Sequence, residues 1–118
     1  MATVDKYFRM ARQVALKGDT REATRHYRIG AVGIRSDGAI VSASNIPHRK
    51  PEPQAHAEAR LVRKLDWDAT VYVVRINGDG TLALARPCQK CLGAMRRKGV
   101  KYCYYSINES EHARLTLC

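Results

Sequence analysis

Apolar positions near the N-terminus recur every three or four residues, which is the pattern of an amphipathic helix. Gly18 follows this stripe, and glycine commonly ends a helix because it adopts the left-handed conformation without strain. The pattern therefore predicts a first helix over about residues 4–17. The apolar residues of the stripe are Tyr7, Phe8, Ala11, Val14 and Ala15.

Two short apolar runs follow this helix. Residues 29–34 and 39–41 are separated by Ser36-Asp37-Gly38, a typical turn between two strands, so we predict a β-hairpin. Residues 42–53 are polar and contain three prolines, which cannot donate to a regular ladder. We interpret them as a loop that leads into a helix over about 54–65.

The second half of the chain alternates strand and helix patterns. Residues 70–76 are largely β-branched and apolar, and turn residues then precede the alternating pattern of 81–85, which predicts a second hairpin. A further helix opens at Pro87 and ends in basic residues and Gly99. We place this helix over about 88–98, a strand over 100–105 and a last strand over 113–117.

Helices that alternate with strands cover both faces of one sheet, so the order of elements predicts an α/β fold. A length of 118 residues makes one domain, residues 1–118. No apolar run approaches the 18 or so residues of a membrane span, and charged residues interrupt the N-terminal segment. We therefore expect no membrane association, a cytoplasmic protein and reduced cysteines.

Basic residues outnumber acidic ones by 21 to 11, for a formal charge of +10. Such a charge favours a polyanionic or phosphorylated partner, so a nucleic-acid partner stays open. The basic residues are nevertheless dispersed along the chain, and solvated helix faces account for many of them.

Two short segments carry the candidate chemistry, His56-Ala57-Glu58 and Pro87-Cys88-Gln89-Lys90-Cys91, each at the start of a predicted helix. Cysteines three residues apart project from one helical face and can chelate one soft cation. His56 makes a third ligand, and three protein ligands leave the fourth position of Zn²⁺ open, as in catalytic sites. Glu58 is then placed to transfer a proton, which predicts hydrolytic chemistry.

Simpler interpretations exist for each segment. The two cysteines alone also suit a redox dithiol at a helix N-terminus, and His56 with Glu58 also suits an ordinary polar first turn. A zinc site used only for folding would normally have a fourth protein ligand and would not need Glu58.

Together the two segments resemble the H-x-E and P-C-x-x-C signature of the zinc-dependent cytidine and deoxycytidylate deaminase superfamily. The resemblance implies a three-layer α/β/α sandwich around a five-stranded mixed sheet. An additional hairpin at about 76–86 differs from the common pattern of the family. It implies that His56, Cys88 and Cys91 bind zinc and that Glu58 is the catalytic proton shuttle. It further implies a homo-oligomer.

The same resemblance implies where the substrate binds. Asn45 would hydrogen-bond the sugar, and the backbone N–H groups near Ala57 and Cys88 would contact the base. His48 lies in the same loop as Asn45 and is a candidate phosphate contact, while Tyr104 and Tyr105 are expected at the rim of the pocket.

We therefore expect hydrolytic deamination of a cytosine nucleoside or nucleotide (cytidine, deoxycytidine or deoxycytidylate) to the uracil product and ammonia. The alternative substrate is cytosine in single-stranded DNA or RNA, where a flipped base stacks on aromatic rings while cations hold the phosphates. A non-catalytic binding module that keeps zinc for folding is the third interpretation.

Overall fold

A computed structural model describes residues 3–17, 28–44, 57–77 and 80–117 of the chain. Their helices and strands follow one another in the order that the sequence predicts. They are α1 (Thr3–Leu16), β1 (Arg28–Ile34), β2 (Ile40–Ser44), α2 (Ala57–Val62), β3 (Thr70–Ile76), β4 (Leu82–Ala83), α3 (Gln89–Lys98), β5 (Tyr102–Ser106) and β6 (His112–Thr116).

The strands form one mixed sheet in the order β2-β1-β3-β5-β6, and the short β4 also pairs with β3. Strand β1 is antiparallel to both β2 and β3, whereas β3 and β5 are parallel. Strands β2, β3 and β5 therefore run in the same direction. Their C-terminal ends meet along one side of the sheet, which we call the carboxyl edge.

Helices cover both faces of this sheet, which confirms the predicted three-layer α/β/α sandwich. One core lies between α1 and the sheet, where Ala11 and Ala15 pack against Val32, Val74 and Ile76. The other core lies under α2 and α3, and its buried members include Leu61, Leu92, Met95, Val71, Val73 and Cys103.

Glycine at position 30 lets α1 lie directly on β1. A Cβ at this position would be 2.6 Å from the backbone nitrogen of Ala15 and 2.9 Å from its Cβ, and it would also collide with the carbonyl oxygen of Ala11. Glycine alone has no Cβ, so the helix backbone approaches the strand more closely than any other residue would allow.

The second hairpin is shorter than predicted. Strand β4 has two residues instead of five, and it pairs antiparallel with β3 through Arg75 and Ile76. After Ala83 the chain leaves β3, and the backbone N–H of Ala85 donates to the carbonyl of Ser106 at 2.8 Å. Bonding to the end of β5 thus replaces the expected ladder.

The predicted helix boundaries are largely confirmed. The residues before Ala57 lie outside the described part of the chain, and α2 ends at Val62 instead of continuing to 65. Helix α3 begins at Gln89 with Cys88 as its N-cap, so Pro87 precedes the helix and does not occupy its first turn. Gly99 has a positive φ of 89° and caps α3 as the sequence predicts.

No helix in the described part of the chain is long and apolar enough to cross a membrane.

Candidate active site

Contacts with the ends of β2 and β5 place α2 and the segment before α3 at the carboxyl edge. Arg60 in α2 donates from Nη1 to the carbonyl of Ser44, the last residue of β2, at 2.6 Å. The segment before α3 is held to the end of β5 by the bond between Ala85 and Ser106. Open α/β sheets bind their ligands outside the carboxyl ends of parallel strands, so this edge is where a site is expected.

Glu58 lies in the first turn of α2 with only 4% of its surface exposed. The preceding residue, Ala57, is fully buried in the core under α2 and α3. A carboxyl group is rarely buried to this degree without a specific role, because removal of its charge from water is costly. Burial thus singles out the residue that the sequence predicts as the proton shuttle.

The two cysteines of the second segment occupy different environments at the start of α3. Cys88 is the exposed N-cap, and its carbonyl accepts the backbone N–H of Leu92 at 2.9 Å. Cys91 is 1% exposed and belongs to the same core as Ala57. Within the described residues, Cys88, Cys91 and Cys103 are thiols and not disulfides. The pair therefore spans the boundary between the core and the surface.

Cys103 on β5 lies within electrostatic range of two groups of opposite charge. Burial, with a smaller contribution from Glu58, raises the pKa of its thiol to about 12, and the positive charge of Arg86 opposes the increase. The buried thiol therefore packs in the core as a small apolar side chain. Its electrostatic surroundings also show that Glu58 and Arg86 both act at this part of the core.

Tyr105 lies on the same face of the sheet as Cys91 and is 8% exposed. Arg86 donates from Nη1 to its hydroxyl at 3.4 Å, a long hydrogen bond. Tyr104, which was expected beside it at the pocket rim, points to the opposite face and stacks on Tyr72 with the ring centroids 4.8 Å apart. That expectation is wrong because successive strand residues face opposite sides of a sheet.

Arg86 and Ser106 also shape the site, although neither belongs to a motif that the sequence predicts as functional. Ser106 is 2% exposed, and its hydroxyl donates to the carbonyl of Ala83 at 2.7 Å. The signal for Ser106 was a polar residue that ends an apolar strand. The signal for Arg86 was a single cation directly before the Pro87-Cys88 pair.

The donors at this edge suit zinc. Thiolate and imidazole are ligands that Zn²⁺ prefers, and Cys88 and Cys91 lie three residues apart at one helix start. In the described ranges, no three His, Cys, Asp or Glu side chains form a group able to hold a metal ion. The predicted third ligand, His56, and the predicted substrate contacts Asn45 and His48 lie outside the described residues.

Comparisons with known proteins agree with the fold and the motifs. The family model described as the cytidine and deoxycytidylate deaminase zinc-binding region matches residues 1–107. No curated protein sequence matches the chain significantly.

Solved structures of cytidine deaminases have the same fold at low sequence identity. The enzyme from Mycobacterium leprae has a TM-score of 0.70 at 17% identity, over 99% of this chain and 95% of that one. The enzyme from Burkholderia pseudomallei has a TM-score of 0.68 at 13% identity, over 99% and 94%. The enzyme from Mycobacterium tuberculosis has a TM-score of 0.61 at 15% identity, over 92% and 90%.

Proposed function

Because the chain belongs to the cytidine and deoxycytidylate deaminase zinc-binding family, it is a zinc-dependent hydrolytic deaminase, and we propose that it acts on a free cytosine nucleoside or nucleotide. The candidates are cytidine, deoxycytidine and deoxycytidylate, each converted to its uracil product with release of ammonia. The observation that carries this proposal is the buried carboxyl group of Glu58 in the first turn of α2, directly after Ala57, which belongs to the same core as Cys91.

We assign the zinc ligands to His56, Cys88 and Cys91. When bound, Zn²⁺ supplies a Lewis acid that makes water nucleophilic at neutral pH. The carboxylate of Glu58 accepts the proton of the attacking water and later donates a proton to the departing amino group. Burial of Glu58 keeps bulk water from competing for that proton.

The remaining predicted residues bind the substrate. In this proposal the backbone at Ala57 contacts the base, Asn45 hydrogen-bonds the sugar and His48 faces a phosphate. Tyr105 forms one wall of the pocket and presents its edge, since little of its surface is exposed. We further propose that the protein forms a homo-oligomer, for which light scattering is the direct measurement.

Cytosine in a single-stranded polynucleotide is the second candidate substrate, favoured by the formal charge of +10. It has less support, because Tyr104 does not lie beside Tyr105 to stack a flipped base. The free nucleoside or nucleotide therefore remains the first candidate.

The test is ammonia release by the zinc-loaded enzyme from cytidine, deoxycytidine, deoxycytidylate and a cytosine-containing single-stranded oligonucleotide. We expect turnover of at least one small substrate. The Glu58→Gln variant keeps the shape of the side chain and should lose about 10²- to 10⁴-fold in kcat, the usual contribution of a general acid–base group. Metal analysis should show that it keeps its zinc.

A matched pair of thiol variants separates metal binding from packing. Cys91→Ala should lose bound zinc, whereas Cys103→Ala removes an equally buried thiol and should retain it. Turnover of the oligonucleotide alone would replace the proposal by the second candidate. Zinc binding without any turnover would instead indicate the non-catalytic module.

A further inference from the structure

The segment that precedes α3 follows a fixed path over the end of β5. The hydroxyl of Ser106 donates to the carbonyl of Ala83 at 2.7 Å, and the carbonyl of Ser106 accepts the N–H of Ala85 at 2.8 Å. One buried serine thus holds the chain on both sides of Leu84. Arg86 directly follows Ala85 and is therefore positioned at the carboxyl edge, two residues before Cys88.

The Arg86 side chain turns toward the core under α2 and α3 and not away from it. Its Nη1 lies 3.4 Å from the Tyr105 hydroxyl, and its guanidinium carbon lies 6.0 Å from the centre of the Tyr105 ring. Its positive charge also acts on the thiol of Cys103, on which the charge of Glu58 acts as well. Arg86 and the predicted catalytic carboxylate of Glu58 thus both lie within electrostatic range of the same buried thiol.

The guanidinium of Arg86 extends from an exposed position at the carboxyl edge. The residue is exposed, and the ion pairs among the described residues join other arginines to carboxylates, not Arg86. A guanidinium has five N–H donors in a planar fork that matches a phosphate group, and the bond to Tyr105 occupies one of them. A residue that served only to hold Tyr105 would not need this charge.

We propose that Arg86 forms a phosphate subsite, so that the preferred substrate is a cytosine nucleoside monophosphate and not the free nucleoside. Tyr105 holds the guanidinium in place, and Ser106 fixes the backbone from which Arg86 extends. This inference rests on the proposed function, because it names the substrate class of the same site.

The test compares kcat/KM for deoxycytidylate and deoxycytidine in the wild type and in Arg86→Gln. Glutamine can still donate to Tyr105 but has no charge. We expect the variant to lower the ratio of the two constants, monophosphate over nucleoside, by about 10- to 100-fold, the effect of one charge-assisted hydrogen-bonded contact. Arg86→Lys keeps the positive charge but lacks the planar fork of N–H donors, so its ratio should lie between those of the wild type and Arg86→Gln.

Arg96→Gln is the matched control, because Arg96 is an exposed arginine in the last turn of α3, at the other end of the helix from Cys88. It should leave the ratio unchanged. Calorimetry with the two products gives a readout without turnover. Arg86→Gln should weaken the binding of deoxyuridylate by the same factor, about 10- to 100-fold, while the binding of deoxyuridine should stay unchanged.

An equal loss for both substrates would show that Arg86 only positions Tyr105, and an unchanged ratio would show that the phosphate binds elsewhere. Either result overturns the inference while the proposed function stands. If the wild-type enzyme turns over neither small substrate, the proposed function itself fails, which is a different outcome.

Discussion

At the scale of single residues, replacement of either of two described glycines by alanine should have opposite effects on stability. Gly30 faces the backbone of α1, which cannot rotate away from an added Cβ. Gly93 lies within α3, and the nearest atom to an added Cβ is the mobile end of Arg97 at 3.4 Å. The same substitution therefore adds a clash at one position and removes backbone freedom from the unfolded chain at the other.

We expect Gly30→Ala to lower the free energy of unfolding by about 1–3 kcal/mol or more, because overpacking displaces α1 from β1. Gly93→Ala should raise it by about 0.5–1 kcal/mol, the helix preference of alanine over glycine. Urea unfolding monitored by circular dichroism measures both. Equal stabilities for Gly30→Ala and the wild type would mean that α1 does not lie on β1 as described.

At the scale of elements, Glu109 in the turn between β5 and β6 holds the short β4 in place. Its Oε1 accepts the backbone N–H of Leu82 at 2.7 Å. Its Oε2 lies 3.4 Å from Arg12 of α1, and Arg12 also donates to the carbonyl of Gly80 at 2.8 Å. A two-residue strand has few ladder bonds of its own, so these contacts determine the path of the chain toward Arg86.

Glu109→Ala should therefore loosen β4. We expect a loss of about 1 kcal/mol in the free energy of unfolding, the net value of one hydrogen bond, and faster amide exchange at Leu82. Glu109→Gln keeps an acceptor for the N–H of Leu82 and loses only an exposed ion pair, which contributes little to stability. The Leu82 amide should therefore exchange at the wild-type rate in this variant. Fast exchange in both variants would assign the effect to the ion pair with Arg12.

At the scale of the whole molecule, the positive charge is spread over both helical layers. Exposed cations occur on α1, after α2, around the start and in the last turn of α3, directly before β5 and on β6. Within the part of the chain that the structure describes, these cations are not confined to one element, as a single basic stripe along a nucleic-acid backbone would require, which supports the free substrate. The exposed cations among the described residues are Lys6, Arg9, Lys17, Arg63, Lys64, Arg86, Lys90, Arg96, Arg97, Lys101 and Arg114.

The dependence of kcat/KM on salt should therefore be shallow. With one phosphate contact we expect at most a change of roughly threefold between about 50 and 200 mM salt. Several phosphate contacts along a single strand would instead reduce affinity on the order of a hundredfold over the same interval. A steep dependence measured with deoxycytidylate, or tight oligonucleotide binding that persists in 200 mM salt, would contradict the interpretation.

Local patterns in the sequence determined most of the elements and the family. The stripe from Tyr7 to Ala15 predicts α1, and the turn at Ser36-Asp37-Gly38 joins β1 to β2 as expected. These signals act within one element, because side-chain period and turn chemistry depend on neighbours a few residues away. The paired motifs indicate the family for the same reason, since each one is a short run of neighbouring residues.

Tertiary structure alone decided which of these residues share an environment. The parallel pairing of β3 with β5 brings Cys103 and Tyr105 under the helices that carry Glu58 and Cys91. The bonds of Ser106 replace most of the predicted second hairpin and bring Arg86 to Tyr105. Such contacts join residues far apart in the chain, and their geometry depends on strand order and packing, which no local pattern encodes.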